Sequence, residues 1–369
     1  MRVSFRPRIL QYLLITVSIL DVFPILIPHR AWALDKETPA IKVAQPPAAA
    51  AKKKSAASPT APLTDEDRQL NDLFAQGQFQ TIVDQLTPQL DKLDGRKMKL
   101  LGRAHSELKN TLLALKTFSL ALNKNPKDAE AKMLIGREDF LRHKDPEAMV
   151  SLREALELDP NLEETYLVIE QIYIKKNNKY ELRMLYSDMV QQMGEKPKYI
   201  ARLCELNTLS GIYDLANTYC TKGMKLQPDE PKNYIYRAMT LKETGSLEEA
   251  KSLYKATADK YKSSDEAQIG YAQFLDEQKN YLESSKYYKD ATIANPKSMK
   301  GLIGLALSST EIQQYQQALD ALVIACNLNR QSITQVRKVM GILRVLKETK
   351  WYEKFEALSE TCGLPAKKD

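Results

Sequence analysis

Ala155-Leu-Glu-Leu-Asp-Pro160 decides the reading of this chain, because the phrase returns at a fixed step. Thirty-four residues before it stands Ala121-Leu-Asn-Lys-Asn-Pro126; further on come Met224-Lys-Leu-Gln-Pro228 and Ala291-Thr-Ile-Ala-Asn-Pro296, each at twice that step from the one before. A constant period of this length marks stacked supersecondary units, none of which can bury its apolar face alone.

Other positions keep the same beat. Twelve residues before each proline position stand Ala114, Ala148, Ala216, Ala250 and Ala318, with Leu182 and Ser284 in the remaining units. Eight before it a larger residue recurs: Phe118, Leu152, Tyr186, Tyr254, Tyr288 and Leu322. Twenty-four before it the residue is small in most units: Gly102, Gly136, Ala238, Ala272 and Ala306. Small residues let two helix backbones approach, and bulky ones beside them fill the groove that remains. Unrelated helices of an ordinary bundle would keep no common phase.

The offsets resemble those of the tetratricopeptide repeat, a helix-turn-helix unit of 34 residues. The best copies run from Tyr234-Ile-Tyr-Arg-Ala238 through Gly245-Ser-Leu-Glu-Glu-Ala250 to Tyr254, and from Leu302 through Tyr315-Gln-Gln-Ala318 to Ala325. The resemblance implies an all-α fold, a right-handed α-α solenoid, with seven units over 95–330. A degenerate repeat over 63–94, with Gly77 and Phe79, and a capping repeat over 331–363, with Trp351, would close the two ends, and 364–369 is a tail. The chain departs from the family in two ways. The tryptophan of the first helix is replaced by Met98, Lys132, Tyr166, Ile200, Tyr234, Gln268 and Leu302, and proline is missing at Gly194, Lys262 and Arg330.

The net charge of +7 raises nucleic acid as a partner, but its distribution argues against one. Residues 1–62 hold nine Lys/Arg against three Asp/Glu, and the remainder 45 against 44. A nearly neutral repeat body lacks the concentrated basic stripe that phosphates require. Residues 1–33 read as a secretory signal: Arg2, Arg6 and Arg8, then the apolar run Ile9–Ile27, then Ala31-Trp32-Ala33 as a cleavage site. Asp21, Pro24 and Pro28 weaken a membrane span, although retention as an N-terminal anchor in the inner membrane is the alternative. The expected location is the periplasm of a two-membrane bacterium. Residues 34–62, rich in Pro, Ala and Lys, read as a disordered linker. Within it Lys52, Lys53 and Lys54 offer weak contact with anionic lipid or cell-wall polymer.

Cys204 and Cys220 stand on the two helices of one unit, at positions that face each other in the family. Cys326 and Cys362 stand on second helices of adjacent units. The expectation is four free thiols acting as small buried residues, with disulfides Cys204–Cys220 and Cys326–Cys362 as the alternative in an exported chain. No His-Glu-x-x-His, Cys-x-x-Cys or Gly-x-x-x-x-Gly-Lys pattern occurs, and only His29, His105 and His143 are present. No catalytic residue, metal or cofactor is therefore expected, and His105 reads as a core residue.

In the family, first helices line the concave face. The resemblance thus implies an inward ribbon of Lys99, Met133, Leu167, Ala201, Ile235, Ile269, Ile303 and Arg337. Arg103, Arg137, Gln171, Glu205, Met239, Gln273 and Leu307 would lie beside it. An apolar ribbon rimmed by polar groups suits an amphipathic helix or an extended peptide; the alternative is burial against the next unit. The asparagines with which some members grip a terminal carboxylate are absent, the places being held by Leu100, Leu134, Val168, Arg202, Tyr236, Gly270 and Gly304. The functional expectation is a non-enzymatic scaffold binding a protein or peptide segment in the cell envelope. A self-associating structural protein and an enzyme-associated helical module are the alternatives.

Overall fold

The computed structural model describes residues 62–363. The leader, the linker with Lys52, Lys53 and Lys54 (all but Pro62) and the tail lie outside the described residues. Within them are eighteen α-helices and no strand. The first helices of successive units are α3 (Gly95–Glu107), α5 (Ala129–Leu141), α7 (Glu163–Lys175), α9 (Pro197–Leu209), α11 (Pro231–Glu243), α13 (Asp265–Glu277) and α15 (Met299–Glu311). Each starts 34 residues after the one before, and α17 (Ile333–Leu346) keeps the step. Their hairpin partners are α4 (Thr111–Lys124), α6 (Asp145–Leu158), α8 (Lys179–Met193), α10 (Tyr213–Leu226), α12 (Leu247–Lys260), α14 (Tyr281–Ala294), α16 (Tyr315–Leu328) and α18 (Thr349–Gly363). Upstream, α1 (Asp65–Ala75) and α2 (Phe79–Leu86) form the shorter first pair. The Thr64 hydroxyl caps α1 by accepting from the Asp67 amide, while the Asp67 carboxylate accepts from the Thr64 amide.

Each hairpin turns on a residue in the left-handed region: Lys109, His143, Asn177, Gly211, Gly245, Lys279, Gln313 and Lys347, again 34 apart. The amide of the residue that follows reaches back to the helix, as Asn110 does to the His105 carbonyl at 2.8 Å, which closes the helix end. Only two of these eight are glycine, so the other hairpins hold a strained backbone against the packing on either side.

Packing explains the sequence beat. Ala114, Ala148, Ala216, Ala250 and Ala318 are fully buried, as are Ala121, Ala155, Ala291 and Ala325. The residue 24 before each proline position meets the one eight before it. A Cβ placed on Gly102 would lie 2.3 Å from Phe118, and one on Gly136 2.7 Å from Leu152. In the third unit the same pair is Glu170 and Tyr186, whose hydroxyl donates to the Glu170 carboxylate at 2.8 Å.

In the fourth unit this pair is Cys204 and Cys220, and the two are joined as a disulfide with Cα atoms 4.7 Å apart. Cys326 and Cys362 are also joined, tying α16 to α18. The expectation of four free thiols is thereby corrected. A small-and-large contact that recurs through the solenoid brings the first pair together, and the covalent bond occupies the space that an aromatic ring fills elsewhere.

Some interfaces between units are polar as well as apolar. Between α9 and α11 the buried residues include Asn207, Thr208, Asn233 and Thr240, and the Thr208 and Thr240 hydroxyls lie 3.1 Å apart. Between α3 and α5 the fully buried Glu138 accepts from the Ser106 hydroxyl, while its second carboxylate oxygen has no partner. Burial pushes the Glu138 carboxyl up, against the opposing pull of Ser106 and Arg137. The folded chain therefore holds this proton more tightly than the unfolded chain. The contribution to stability is complete below the ordinary glutamate value and is lost as pH rises through the folded one. Glu138→Gln, which carries no charge at any pH, is expected to raise stability at neutral pH by removing the cost of a buried carboxylate. It should also flatten the fall between acid and neutral pH in urea unfolding. An unchanged pH profile would contradict this.

Candidate interaction groove

The expected ribbon does not behave uniformly. Met133 is fully buried in the cluster holding Phe118, Leu134 and Ile169, so it belongs to the core and not to the groove surface. Ile269 is 6% exposed and Leu167 40%. Ala201, Ile235, Ile303 and Met239 are half-buried, as are Lys99, Arg103 and Arg137, and Arg337 is exposed. His105 is buried on α3, as expected of a core residue.

Over α3, α5 and α7 the long side chains on the first helices pair with one another. Lys99 contacts Asp128 at 2.9 Å and Glu130 at 2.5 Å, and Arg103 contacts Glu130 at 2.8 Å. One unit later Arg137 contacts Glu164 at 3.1 Å, the same 27-residue register. Burial works against the Lys99 ammonium, but its bonds to Glu130 and Asp128 outweigh it and hold its pKa above the ordinary lysine value. Arg202 continues the network to Glu170 at 3.6 Å and Glu205 at 2.6 Å. Charges that satisfy each other across neighbouring helices line this stretch, with Leu167 exposed among them.

From α11 onward the wall changes character. Ile235, Tyr236 and Met239 on α11 and Ile269 and Phe274 on α13 line a cavity of about 300 Å³. Gly270 makes room for it, since a Cβ there would stand 3.3 Å from Ile235. Tyr254 and Phe274 pack against each other below, with ring centroids 5.4 Å apart. Burial pushes the Tyr254 phenol up, and Glu277 and Glu243 add to it, so the ring stays neutral. Two ion pairs stand at the rim: Lys232 with Glu266 at 3.2 Å, and Lys242 with Glu277 at 2.7 Å. A concave, mostly apolar space of this volume with a few polar groups at its edge has room for one or two side chains.

The structure thus brings together Ile235 and Ile269 of the expected ribbon with Met239 and Gln273 of the row beside it. Leu167 and Ala201 lie outside the residues lining this cavity, as do Ile303, Arg103 and Arg137. Leu209, Phe274 and Tyr254 line it and were not anticipated as groove residues. Tyr254 was legible only as a packing residue. It borders the cavity beside Gly270, where an added Cβ would stand 3.6 Å from its ring, while staying 5% exposed.

No protein-family model matches the sequence, and no curated protein matches it. Among solved structures, the chain resembles the C-terminal part of a TPR repeat-containing protein from Cytophaga hutchinsonii. That pair is 18% identical over 64% of this chain and 98% of that one, with a TM-score of 0.52. YrrB, described as a TPR protein with an unusual peptide-binding site, is 19% identical over 50% of this chain and 95% of that one, with a TM-score of 0.39. Yeast Tom70 is 16% identical over 73% of this chain and 64% of its own length, with a TM-score of 0.47. The Cytophaga likeness, together with hairpins starting every 34 residues and small-and-large contacts in phase, establishes the fold: this chain is a right-handed α-α solenoid of the tetratricopeptide-repeat type.

Proposed function

We propose that the chain is an exported, non-enzymatic scaffold of the bacterial envelope that holds a segment of a partner protein in its concave groove. The observation that carries this reading is the apolar cavity at Ile235, Met239 and Ile269, which opens where the ion-paired wall of α3 to α9 ends. A partner segment would seat an apolar side chain there and run past the Lys232–Glu266 and Lys242–Glu277 rim. Two disulfides within one chain support export, because such bonds persist in oxidising compartments. The basic-then-apolar leader supports the same destination.

A photo-crosslinking residue at the exposed Gln273, in cells, tests the site. One discrete adduct is expected, and it should fall about ten-fold in Ile235→Asp/Met239→Asp, in keeping with loss of a central apolar anchor. Far-ultraviolet dichroism should be unchanged. An equal adduct in that variant, or the same adduct from the exposed Lys116 of α4, would move the site elsewhere.

A further inference from the structure

The two helices that form the apolar cavity line it with the same register positions: Lys232 and Glu266, Ile235 and Ile269, Met239 and Gln273. Following those positions along the groove shows a change of charge. On α11 the wall is Ile235, Tyr236, Met239 and Lys242. Three units on, α17 carries Arg337, Lys338, Gly341 and Arg344 in the same register, and all four are exposed. No acidic residue occurs in α17. Between the two, α15 contributes the half-buried Ile303 and Leu307, with Lys300 near its start and Glu311 at its end as its only charges.

The pairing that neutralises the first half of the groove is missing here. There, Glu130 and Glu164 each meet an arginine of the preceding first helix, Arg103 at 2.8 Å and Arg137 at 3.1 Å. At the cavity Lys300 holds the glutamate position, and Gln273 holds that of the arginine. Of the five charged residues lining the cavity, Lys232 pairs with Glu266 and Lys242 with Glu277, while Lys300 makes no ion pair among the described residues. Arg337, Lys338 and Arg344 make none among them either. Unneutralised charge of one sign along a binding surface selects a partner of the other sign. A phosphate polymer would answer the charge but has no apolar side chain for the adjoining cavity. A polypeptide supplies both.

We infer that the segment held in the concave groove is acidic: it seats an apolar side chain between α11 and α13, sets a carboxylate against Lys300, and carries further Asp or Glu residues across to Arg337 and Arg344. The inference rests on the groove reading above and adds the chemistry of the partner. Packed helices lie about 8–10 Å apart, so α17 stands about 16–20 Å beyond α13. An extended chain covers that distance in about five or six residues, which sets the spacing between anchor and acidic run.

Selection of random peptides displayed on phage, with the full chain as bait, tests it. Displayed peptides have no free C-terminus, so only side-chain carboxylates can be chosen. Enrichment of an apolar residue with acidic residues within about six positions of it is expected. The enriched peptide, synthesised with an amidated C-terminus, should bind about ten-fold more weakly to Arg337→Gln/Arg344→Gln, whose side chains are exposed. Exchanging its own Asp and Glu for Asn and Gln should have a similar effect. Ile235→Asp/Met239→Asp separates this inference from the groove reading, and it should not retain the peptide. Apolar peptides with no acidic preference, or affinity unchanged in the glutamine variant, would overturn the inference and leave the groove reading standing. Acidic peptides held equally well by Ile235→Asp/Met239→Asp would put the basic wall outside the groove and overturn it too. With no peptide enriched, both fall. Tighter binding of an oligothymidylate, lost in the glutamine variant, would make the wall a phosphate site and overturn the assignment.

Discussion

Dithiothreitol is expected to lower the unfolding free energy of the native chain by several kcal/mol, in two separable parts. The loop closed by Cys204–Cys220 spans 16 residues and that closed by Cys326–Cys362 spans 36. Constraint of the unfolded chain then contributes about 3 and about 4 kcal/mol respectively. The first loss has a local cause that can be repaired. Reduced Cys220 is far smaller than the aromatic or leucine that stands in its place in other units, so the hairpin of α9 and α10 would be left underfilled. Cys204→Ala/Cys220→Tyr rebuilds the Ala238 and Tyr254 pair of the fifth unit. It should be more stable than Cys204→Ser/Cys220→Ser and indifferent to reductant at that site. Because each unit contacts only its neighbours, a weakened fourth unit should also split the urea transition in two, as its neighbours lose their coupling. An identical midpoint with and without reductant would defeat the prediction. So would four alkylated thiols by mass spectrometry in native protein never exposed to reductant.

Much of the architecture was legible because steric constraint leaves marks in phase. Ala114, Ala148 and Ala250 sit where two helix axes cross, nothing larger fits there, and the repetition of that constraint is visible in the letters alone. The left-handed turn position escaped notice for the opposite reason. Lysine, histidine, asparagine and glutamine occupy it as well as glycine, since the surrounding packing holds the strain. The groove was half legible. Period identifies which residues share a face, but not which neighbours cover them. Met133 and Ile235 hold equivalent positions. The neighbours of Met133 one turn either side, Glu130 and Arg137, are long and ion-paired. Ile235 has Met239 one turn on and Gly270 across the way, and it stays open to the cavity. The disulfides were legible as a geometric option only. Their positions follow from the repeat, while their formation depends on the redox environment.

Gly304→Ala is expected to destabilise the solenoid by roughly 1–3 kcal/mol, the cost of overpacking a filled core, even though alanine is the better helix former by about 1 kcal/mol. A Cβ on Gly304 would stand 2.2 Å from a ring carbon of Tyr288, the residue that α14 inserts between α13 and α15. That ring cannot easily move aside. It is 4% exposed, and its hydroxyl donates to Asp276 at 2.8 Å, while the other Asp276 oxygen accepts from the Ser308 hydroxyl at 2.9 Å. Burial pushes the Tyr288 phenol up and Asp276 adds to it, so the donor is present throughout the neutral range. Yielding therefore means breaking this bond or displacing α15. Tyr288→Leu places at this position the residue that occupies it as Leu152 and Leu322. Combined with Gly304→Ala, it should cost less than the two changes summed, because the clash has gone. Gly341→Ala, with no atom within 4 Å of its added carbon, serves as the control and should be neutral or stabilising. Urea unfolding of the four variants decides the matter. A Gly304→Ala chain as stable as the parent would mean that Tyr288 is not held where the hydrogen bonds place it.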